Sequence, residues 1–132
     1  MASLLKNVFQ NADISLSVLE VIAKNSYDSI MITDATKDTK IIYTNKAFST
    51  LTGYDPSEVI GKNPRILQGA ATDKAVTARL VEALKRDGRF EGKAINYKKN
   101  GNPFIMHWRV LPVKVSNKTK LWVAIQREGS MV

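Results

Sequence analysis

The chain has 132 residues, 44% of them hydrophobic and 24% charged, a composition typical of one soluble globular domain. It contains no cysteine, which excludes disulfides and thiolate chemistry, and no apolar run of the roughly 18 residues that a membrane span needs. The net charge of +8 is the sum of −2 in residues 1–60 and +10 in residues 61–132. No nucleic-acid motif accompanies the basic half and no apolar span is present, so we expect neither a nucleic-acid nor a membrane partner.

The N-terminal segment is expected to form helices outside the main domain. Apolar residues at helical spacing run from Leu4 to Lys24 in two pieces, with a break near Asn11 to Ser15. The segment has neither the hydrophobic region nor the cleavage pattern of a signal peptide, so we expect a cytoplasmic protein. Its apolar stripe fits packing on the domain's own sheet or on a partner chain.

A β-hairpin and three helices are predicted next. Strands are expected over Ser29 to Thr33 and Ile41 to Tyr43, with a polar turn between them. The helix signals are a short helix over Asn45 to Leu51 stopped by Gly53, another that begins at Pro56 behind Asp55, and a longer one capped by Thr72 or Asp73 and ended by Gly88.

Three strands complete the prediction. They are Gly92 to Lys98, Pro103 to Val113 and Leu121 to Arg127, and the hairpin dipeptide Asn100-Gly101 joins the first two. Two strands, then helices, then three strands indicate an α+β fold, with an antiparallel sheet and the helices gathered on one face. A cavity between that sheet and those helices is a natural place for a ligand.

One run of residues resembles a known family. The segment Gly61-Lys62-Asn63-Pro64-Arg65-Ile66-Leu67-Gln68-Gly69 is similar to the signature of light-oxygen-voltage (LOV) domains of the PAS superfamily, in which Asn-Cys-Arg-Phe-Leu-Gln follows a Gly. Other stretches resemble the same family in order and spacing: Asn45, Ala47-Phe48, Leu51-Thr52-Gly53-Tyr54, Ile95-Asn96-Tyr97, Lys99-Asn100-Gly101 and Ala124-Ile125-Gln126. The likeness covers about residues 28–127.

The resemblance implies a five-stranded antiparallel PAS fold that holds an oxidised flavin, usually FMN, between sheet and helices. It implies that Asn63 and Gln68 bond the ribityl chain and that Arg65 binds the phosphate. Asn96 would bind the pyrimidine edge of the flavin ring, and Gln126 would lie near its N5 and O4 atoms. The other cofactor contacts that it implies are Thr33, Phe48, Leu67, Met106, Val110 and Trp122.

The domain limits follow from the same likeness. Residues 25–128 are expected to form the PAS/LOV flavin-binding domain, and residues 1–24 a flanking helical segment. Residues 129–132 are expected to be a tail with the composition of a cloning remnant.

The chemistry of these residue types suits a flavin independently of the family resemblance. Trp122 and Gln126 share one strand face, and a period of two allows Asn96 to meet the same ligand. A flat ring with a donor and acceptor edge needs apolar walls and a few amides, and an arginine suits a phosphate.

Each of these residues also has an ordinary structural interpretation. Asn63 before Pro64 fits a helix N-cap followed by a first-turn proline. Arg65 fits surface charge, and Asn96 and Gln126 fit satisfied sheet amides. His107 alternates with its neighbours on the strand and is predicted to point away from the ligand face.

Three positions depart from the family pattern. Pro64 stands where the photoreactive cysteine belongs, and proline offers no nucleophile to a flavin. Met106 stands where a second Asn is common on the flavin edge, which should weaken binding or leave a water there. Val81 stands where a second phosphate-binding Arg is common, so riboflavin and FAD are alternatives to FMN.

We therefore expect a blue-light or redox sensory domain that binds flavin without a covalent bond. It would act through flavin photoreduction and a change in the hydrogen bonds of Gln126, and it should fluoresce because no thiol quenches the flavin. The alternative is a PAS interaction or dimerisation module with another ligand or none. No His/Asp/Ser set, metal-ligand pair or Gly-rich phosphate loop indicates an enzyme. The expected partners are flavin, a second copy bound through the N-terminal helix or the sheet face, and an effector that the sequence does not identify.

Overall fold

Five strands form one antiparallel sheet in the computed structural model, which describes residues 12–130. The strands are β1 (Ser29–Asp34), β2 (Ile41–Thr44), β3 (Phe90–Tyr97), β4 (Pro103–Lys114) and β5 (Lys120–Glu128). They lie in the order β2-β1-β5-β4-β3, so β5 pairs with both β1 and β4 at the centre of the sheet. The predicted α+β fold and all five predicted strands are confirmed.

Within residues 12–130, four α-helices and one 3₁₀ helix accompany the sheet. They are α1 (Ala12–Asn25), α2 (Lys46–Thr52), α3 (Pro56–Val59), the 3₁₀ helix Pro64–Leu67 and α4 (Lys74–Lys85). Their starts follow the capping residues of the sequence, because side-chain oxygens of Asn45, Asn63 and Asp73 accept from the backbone N–H groups of the following turn. Gly53 ends α2 with φ 81°, in the left-handed region that favours glycine.

The second predicted helical piece begins at Ala12, within the break predicted near Asn11 to Ser15. Helix α1 runs without interruption from Ala12 to Asn25, so a break does not extend over residues 12–15. Asp and Ser in this stretch are residue types that helix starts favour. The first helical piece, over residues 1–11, lies outside the described residues.

The end of α4 also differs from its prediction. The helix ends at Lys85, three residues before Gly88, and Asp87 adopts the left-handed conformation with φ 52°. Aspartate tolerates this conformation better than most residues. The N–H of Gly88 still closes the helix end by donating to the carbonyl oxygen of Ala83 at 2.8 Å.

One face of the sheet, called the inner face here, forms the core with the helices. Side chains on it alternate with period two along β3, β4 and β5, as the sequence predicts. Helix α2 contacts β1 and β5, and α4 contacts β3. The buried apolar residues are Met31, Ile41, Phe48, Val59, Leu67, Phe90, Ala94, Phe104, Met106, Trp108, Val110, Trp122 and Ala124. Within residues 12–130, no helix is both long and apolar enough to cross a membrane.

Candidate functional site

The inner face brings together six of the predicted contact residues from four strands. All six are buried: Thr33, Asn96, Met106, Val110, Trp122 and Gln126. Cross-strand pairing places Trp122 beside Thr33 and Val110 beside Ala124. Two polar amides, a hydroxyl and large apolar side chains therefore share one surface, and none of the six is titratable.

Two further predicted contacts face this surface from the helical side. Phe48 in α2 is 0% exposed, and Leu67 at the end of the 3₁₀ helix is 2% exposed. Both belong to the same core cluster as the apolar residues of the inner face. The predicted apolar walls of the site thus come from both layers of the fold.

The amide of Asn96 has one side-chain partner among the described residues, and it is a weak one. Its Nδ2 donates to the thioether Sδ of Met106 at 3.3 Å, and Asn96 is 6% exposed. A thioether is a poor acceptor, and the asparagine that the family pattern places at this position would be a better one. A buried amide with such a partner is free to bind a stronger acceptor, for example a carbonyl oxygen on a ligand edge.

Gln126, on the central strand β5, is held by a side chain of the neighbouring strand β1. Its Oε1 accepts a hydrogen bond from Oγ of Ser29 at 2.9 Å, and both residues are 2% exposed. Trp108 lies beside Gln126 on β4. The sequence did not single out Ser29, and the signal that could have found it is its period-two spacing with Met31 and Thr33.

Thr33 carries an unsatisfied buried polar atom. Its Oγ1 has no hydrogen-bond partner among the described residues, although the residue is 3% exposed. Buried hydroxyls are nearly always hydrogen-bonded in native proteins, so this atom requires a partner that the chain does not supply. Together with the weakly bonded Asn96, it fits a neutral ring with polar edges.

None of the three predicted polar contacts of the 3₁₀ segment, Asn63, Arg65 and Gln68, is buried as the inner-face residues are. The amide of Asn63 is engaged at both ends, since Oδ1 accepts from the N–H of Arg65 at 2.9 Å and Nδ2 donates to the carbonyl oxygen of Asp38 at 2.8 Å. The N-cap interpretation of Asn63 is thus correct. Arg65 and Gln68 are exposed, and no carboxylate of the described residues pairs with Arg65.

Trp108 also lies on the inner face, although it is not among the contact residues that the resemblance implies. It lies between Gln126 and Gly92 in the sheet register and is 7% exposed. Its ring lies 5.1 Å from the ring of Phe90, and the guanidinium of Arg79 lies 5.5 Å from that Phe90 ring. The alternation with Met106 and Val110 already put Trp108 on the ligand face. His107 points away from it, as predicted, and bonds Glu91 at 2.9 Å.

The buried residues of the inner face carry no charge of their own. Cations do reach their rings from outside, since Arg79, Lys98 and Lys120 lie 5.5, 5.0 and 4.8 Å from the rings of Phe90, Phe104 and Trp122. The groups with shifted pKa values are Asp34, Glu58, Glu91 and Lys99, all outside this face. No cluster of potential metal ligands occurs in residues 12–130. The buried surface itself therefore suits a neutral, partly apolar molecule.

A surface groove of about 570 Å³ reaches the same glutamine from outside. It runs between the end of α1 and α2, and Ser29 and Gln126 lie at its floor. Lys24, Lys46 and Arg127 line its sides. Gln126 thus stands between the inner face and a groove beside the N-terminal helix.

Comparison with known proteins identifies the group to which this site belongs. The sequence profile of the PAS domain family matches residues 28–129. The chain is 40% identical over 104 residues to phototropin-2 from Oryza sativa subsp. japonica. The aligned segment covers 77% of this chain and 12% of the phototropin. It is 44% identical over 80 residues to a blue-light-activated histidine kinase from Brucella anthropi, covering 61% of this chain and 16% of the kinase. The chain thus spans less than a fifth of these two relatives.

Solved structures give the same grouping. The LOV domain of a blue-light-activated histidine kinase from Erythrobacter litoralis superposes with a TM-score of 0.75 at 32% identity, covering 81% of this chain and 100% of that domain. A light-oxygen-voltage domain from a study of a flavin analogue superposes with a TM-score of 0.78 at 27% identity, covering 87% of this chain and 86% of that one.

Proposed function

The chain belongs to the PAS domain family and, within it, to the LOV domains, and from this we propose that it binds a flavin and senses blue light. FMN is the proposed cofactor, with riboflavin and FAD as alternatives because Arg65 has no second arginine at the position of Val81. The observation that carries the proposal is the buried inner face, where Asn96, Gln126 and Thr33 offer polar atoms between apolar walls.

The contacts proposed for the flavin follow from this placement. Asn96 would exchange the thioether of Met106 for a polar atom of the ring edge, while Phe48 and Leu67 would cover one ring face. Arg65, which is exposed beside the site, would bind the phosphate. Gln68 remains a proposed ribityl contact, and Asn63 would reach that chain only by giving up its bond to Asp38.

The flavin would be bound without a covalent link to the protein. A bound flavin supplies absorption of blue light and one-electron redox chemistry. Pro64 stands where the family's photoreactive cysteine belongs, and the whole chain contains no cysteine. We propose that the loaded protein is fluorescent for this reason, and that flavin photoreduction is its signalling step.

Gln126 is the proposed transmitter of the change at the ring. An amide offers both a donor and an acceptor, so it can rotate when the demand of its ligand reverses. In the present orientation its Oε1 accepts from the hydroxyl of Ser29. Rotation of the amide would present its Nε2 donor to the same hydroxyl. The hydroxyl of Ser29 can answer as an acceptor, which would carry the change to the start of β1 and to α1.

The absorption spectrum of the purified protein tests this proposal, with the released ligand identified by mass. A structured blue band establishes flavin binding, and slow bleaching under blue light without a cysteine supports the photoreduction route. Gln126→Leu should keep the flavin and shift this band, whereas Gln68→Leu should weaken affinity and leave the band in place because the ribityl chain is not part of the chromophore. An identical spectrum in Gln126→Leu contradicts the contact.

A second copy of the chain is the proposed protein partner. Leu19, Val21 and Ile22 on α1 are 62%, 62% and 58% exposed, and exposed apolar side chains that lie close together are typical of interaction surfaces. Their exposure also favours the second candidate function, a PAS interaction module with another ligand or none. A colourless protein that refuses added FMN would select that second function. We propose no catalytic role for the chain.

A further inference from the structure

Two buried hydroxyl groups have no hydrogen-bond partner in the described part of the chain, and no other buried side-chain nitrogen or oxygen there shares this state. They are Oγ1 of Thr33 and Oγ1 of Thr44, on residues that are 3% and 7% exposed. Burying an unpaired hydroxyl costs free energy that folding must offset elsewhere. Such groups call for an explanation, and an absent ligand or water is one of the few available.

Both hydroxyls lie on the inner face at the same end of the sheet. Thr44 pairs with Met31 across the β1–β2 ladder, and Thr33 pairs with Ile41, so all four residues point to the face that holds the predicted site. The register shifts between Ile32 and Thr33. A bulge of this kind redirects side chains and is common beside binding sites.

The neighbouring buried hydroxyls behave differently. Oγ1 of Thr52 donates to the carbonyl oxygen of Phe48 at 2.8 Å, and Oγ1 of Thr72 donates to that of Ile95 at 2.6 Å. Ser29 bonds Gln126. The fold therefore satisfies its buried hydroxyls where it can, and the two exceptions coincide at the β1–β2 end of the inner face.

We infer that Thr33 and Thr44 form a shared polar contact that is completed only when flavin occupies the inner face. This rests on the proposed function and adds Thr44, on the edge strand β2, to the binding residues. The completing group is a hydrogen-bonding atom, either on the flavin or on one water that the flavin encloses. A hydroxyl both donates and accepts, and a buried water needs two or more polar partners, so the pair suits either source.

Valine substitutions test the inference because they keep the branched shape and remove the hydroxyl. In Thr44→Val the flavin-free protein should melt at a higher temperature than the wild type, since an unsatisfied group has gone. The dissociation constant for added FMN, measured by quenching of flavin fluorescence, should rise about three- to tenfold, the effect of one ordinary hydrogen bond. Thr33→Val should do the same, and Thr44→Ser should restore wild-type affinity.

Thr52→Val is the matched control. Thr52 is equally buried but already bonded, so its substitution should lower the melting temperature with and without flavin and leave the dissociation constant unchanged. A structure of the loaded protein then separates the two sources, by showing a flavin atom or a water within hydrogen-bond distance of both hydroxyls.

The results that overturn the inference are distinct from those that overturn flavin binding. If the wild type binds FMN and Thr44→Val binds it equally well, Thr44 is not a contact. If Thr44→Val melts at a lower temperature without flavin, its hydroxyl already has a partner in the protein, and the inference fails. A wild type that binds no FMN removes the proposed function itself, and this inference with it.

Discussion

The side-chain amide of Asn63 fixes the start of the 3₁₀ helix. It holds the N–H of Arg65 on one side and the carbonyl oxygen of Asp38 on the other, which ties the helix start to the β1–β2 loop. Pro64 follows as the first residue of that helix, where its missing N–H costs nothing. The backbone at this position is thus fixed by its neighbours, and a different side chain at residue 64 would be presented from the same place.

Pro64→Cys should therefore give a protein whose blue absorption band bleaches reversibly under blue light. The thiol would stand where the family carries its photoreactive cysteine, on a backbone that the Asn63 cap still holds. The measurement is the spectrum before illumination, after it and during dark recovery. Pro64→Ser is the control, because serine resembles cysteine in shape but is a poorer nucleophile. This variant should not bleach reversibly under blue light. A Pro64→Cys variant that binds flavin and never bleaches would show that residue 64 does not face the ring.

At the level of elements, Asn45 joins the flanking helix to the sheet. Its Oδ1 accepts from the backbone N–H groups of Ile30 and Phe48, and its Nδ2 donates to the carbonyl oxygens of Ala23 and Asp28. All four bonds are between 2.8 and 3.0 Å, and Asn45 is 3% exposed. One side chain thus links the end of α1, the start of β1 and the start of α2.

Asn45→Ala should lower the free energy of unfolding by about 2–4 kcal/mol, since a helix cap is lost and buried backbone groups lose their partner. For a domain of this size the melting temperature should fall by about 10 °C. Hydrogen exchange of the backbone amides in the second half of α1 should also accelerate, because the helix loses its bond to the sheet.

The control for this change is Asn25→Ala, on the same helix. Asn25 is exposed and donates only to the carbonyl oxygen of Val21 within α1, so the stability should change by no more than about 0.5 kcal/mol. Equal losses in both variants would mean that Asn45 has no special role in holding α1.

The β3–β4 turn is hydrogen-bonded to the helices α2 and α3. The N–H of Lys99 donates to the carbonyl oxygen of Thr52, Lys98 donates to that of Leu51, and the Lys99 ammonium bonds the carboxylate of Glu58 in α3. The hydrogen bond from Lys99 is the main reason why the pKa of Glu58 is lowered, and the same bond raises the pKa of Lys99.

The stability contributed by this pair should depend on pH in a defined direction. Because Glu58 is more acidic in the folded state, its contribution is fully present above its unfolded pKa of about 4.3 and is lost as the pH falls through the folded pKa. The contribution of Lys99, whose pKa is raised, is lost only as the pH rises through its folded pKa, above about 10.4. Both groups are exposed, so the effect is small and salt weakens it.

Glu58→Gln isolates the charge, since glutamine can still accept from the N–H of Asp55. The variant should melt below the wild type at pH 7, and the two should converge as the pH falls from about 5 to about 3, where Glu58 is itself neutral. Glu20→Gln, which removes an exposed carboxylate from α1, should show no such convergence. A melting difference that persists unchanged at pH 3 would assign the effect to packing.

For the whole molecule, we expect the exposed apolar side chains of α1 to decide the state of association. Leu19 and Ile22 lie one turn apart and are 62% and 58% exposed. The outer face of the sheet offers a weaker alternative, because Ile30, Ile32 and Ile125 on it are half-buried. The exposed helix is thus the stronger candidate for contact with a second copy.

Replacement of both Leu19 and Ile22 by Lys should convert a dimer to a monomer, as measured by light scattering over a range of concentrations. The control is Val115→Lys, on a residue that is 59% exposed far along the chain in the β4–β5 loop, and it should leave the mass unchanged. A dimer that survives the α1 substitutions but dissociates with Ile125→Lys would place the interface on the sheet.

The sequence by itself determined the strands, most helix starts and which side chains of β3, β4 and β5 face the core. Period-two alternation predicted that Trp122, Ala124 and Gln126 all face inward, and capping residues such as Asn45 and Asp73 predicted where helices begin. Both signals can be read from the sequence because they act between near neighbours in the chain. The motif around Asn63 supplied the family. The end of α4 was missed because Asp87 adopted a conformation that sequence assigns first to glycine.

Only the tertiary structure decided which polar atoms are left without partners. Asn63 donates to the carbonyl oxygen of Asp38, Gln126 accepts from Ser29, and Asn96 donates to the thioether of Met106. Each of these bonds joins residues that are distant in the chain or on separate strands. The same holds for Thr33 and Thr44, whose hydroxyls have no partner once β1 and β2 pair. Hydrogen-bond satisfaction depends on distances between strands and loops, and local sequence patterns carry no information about those distances.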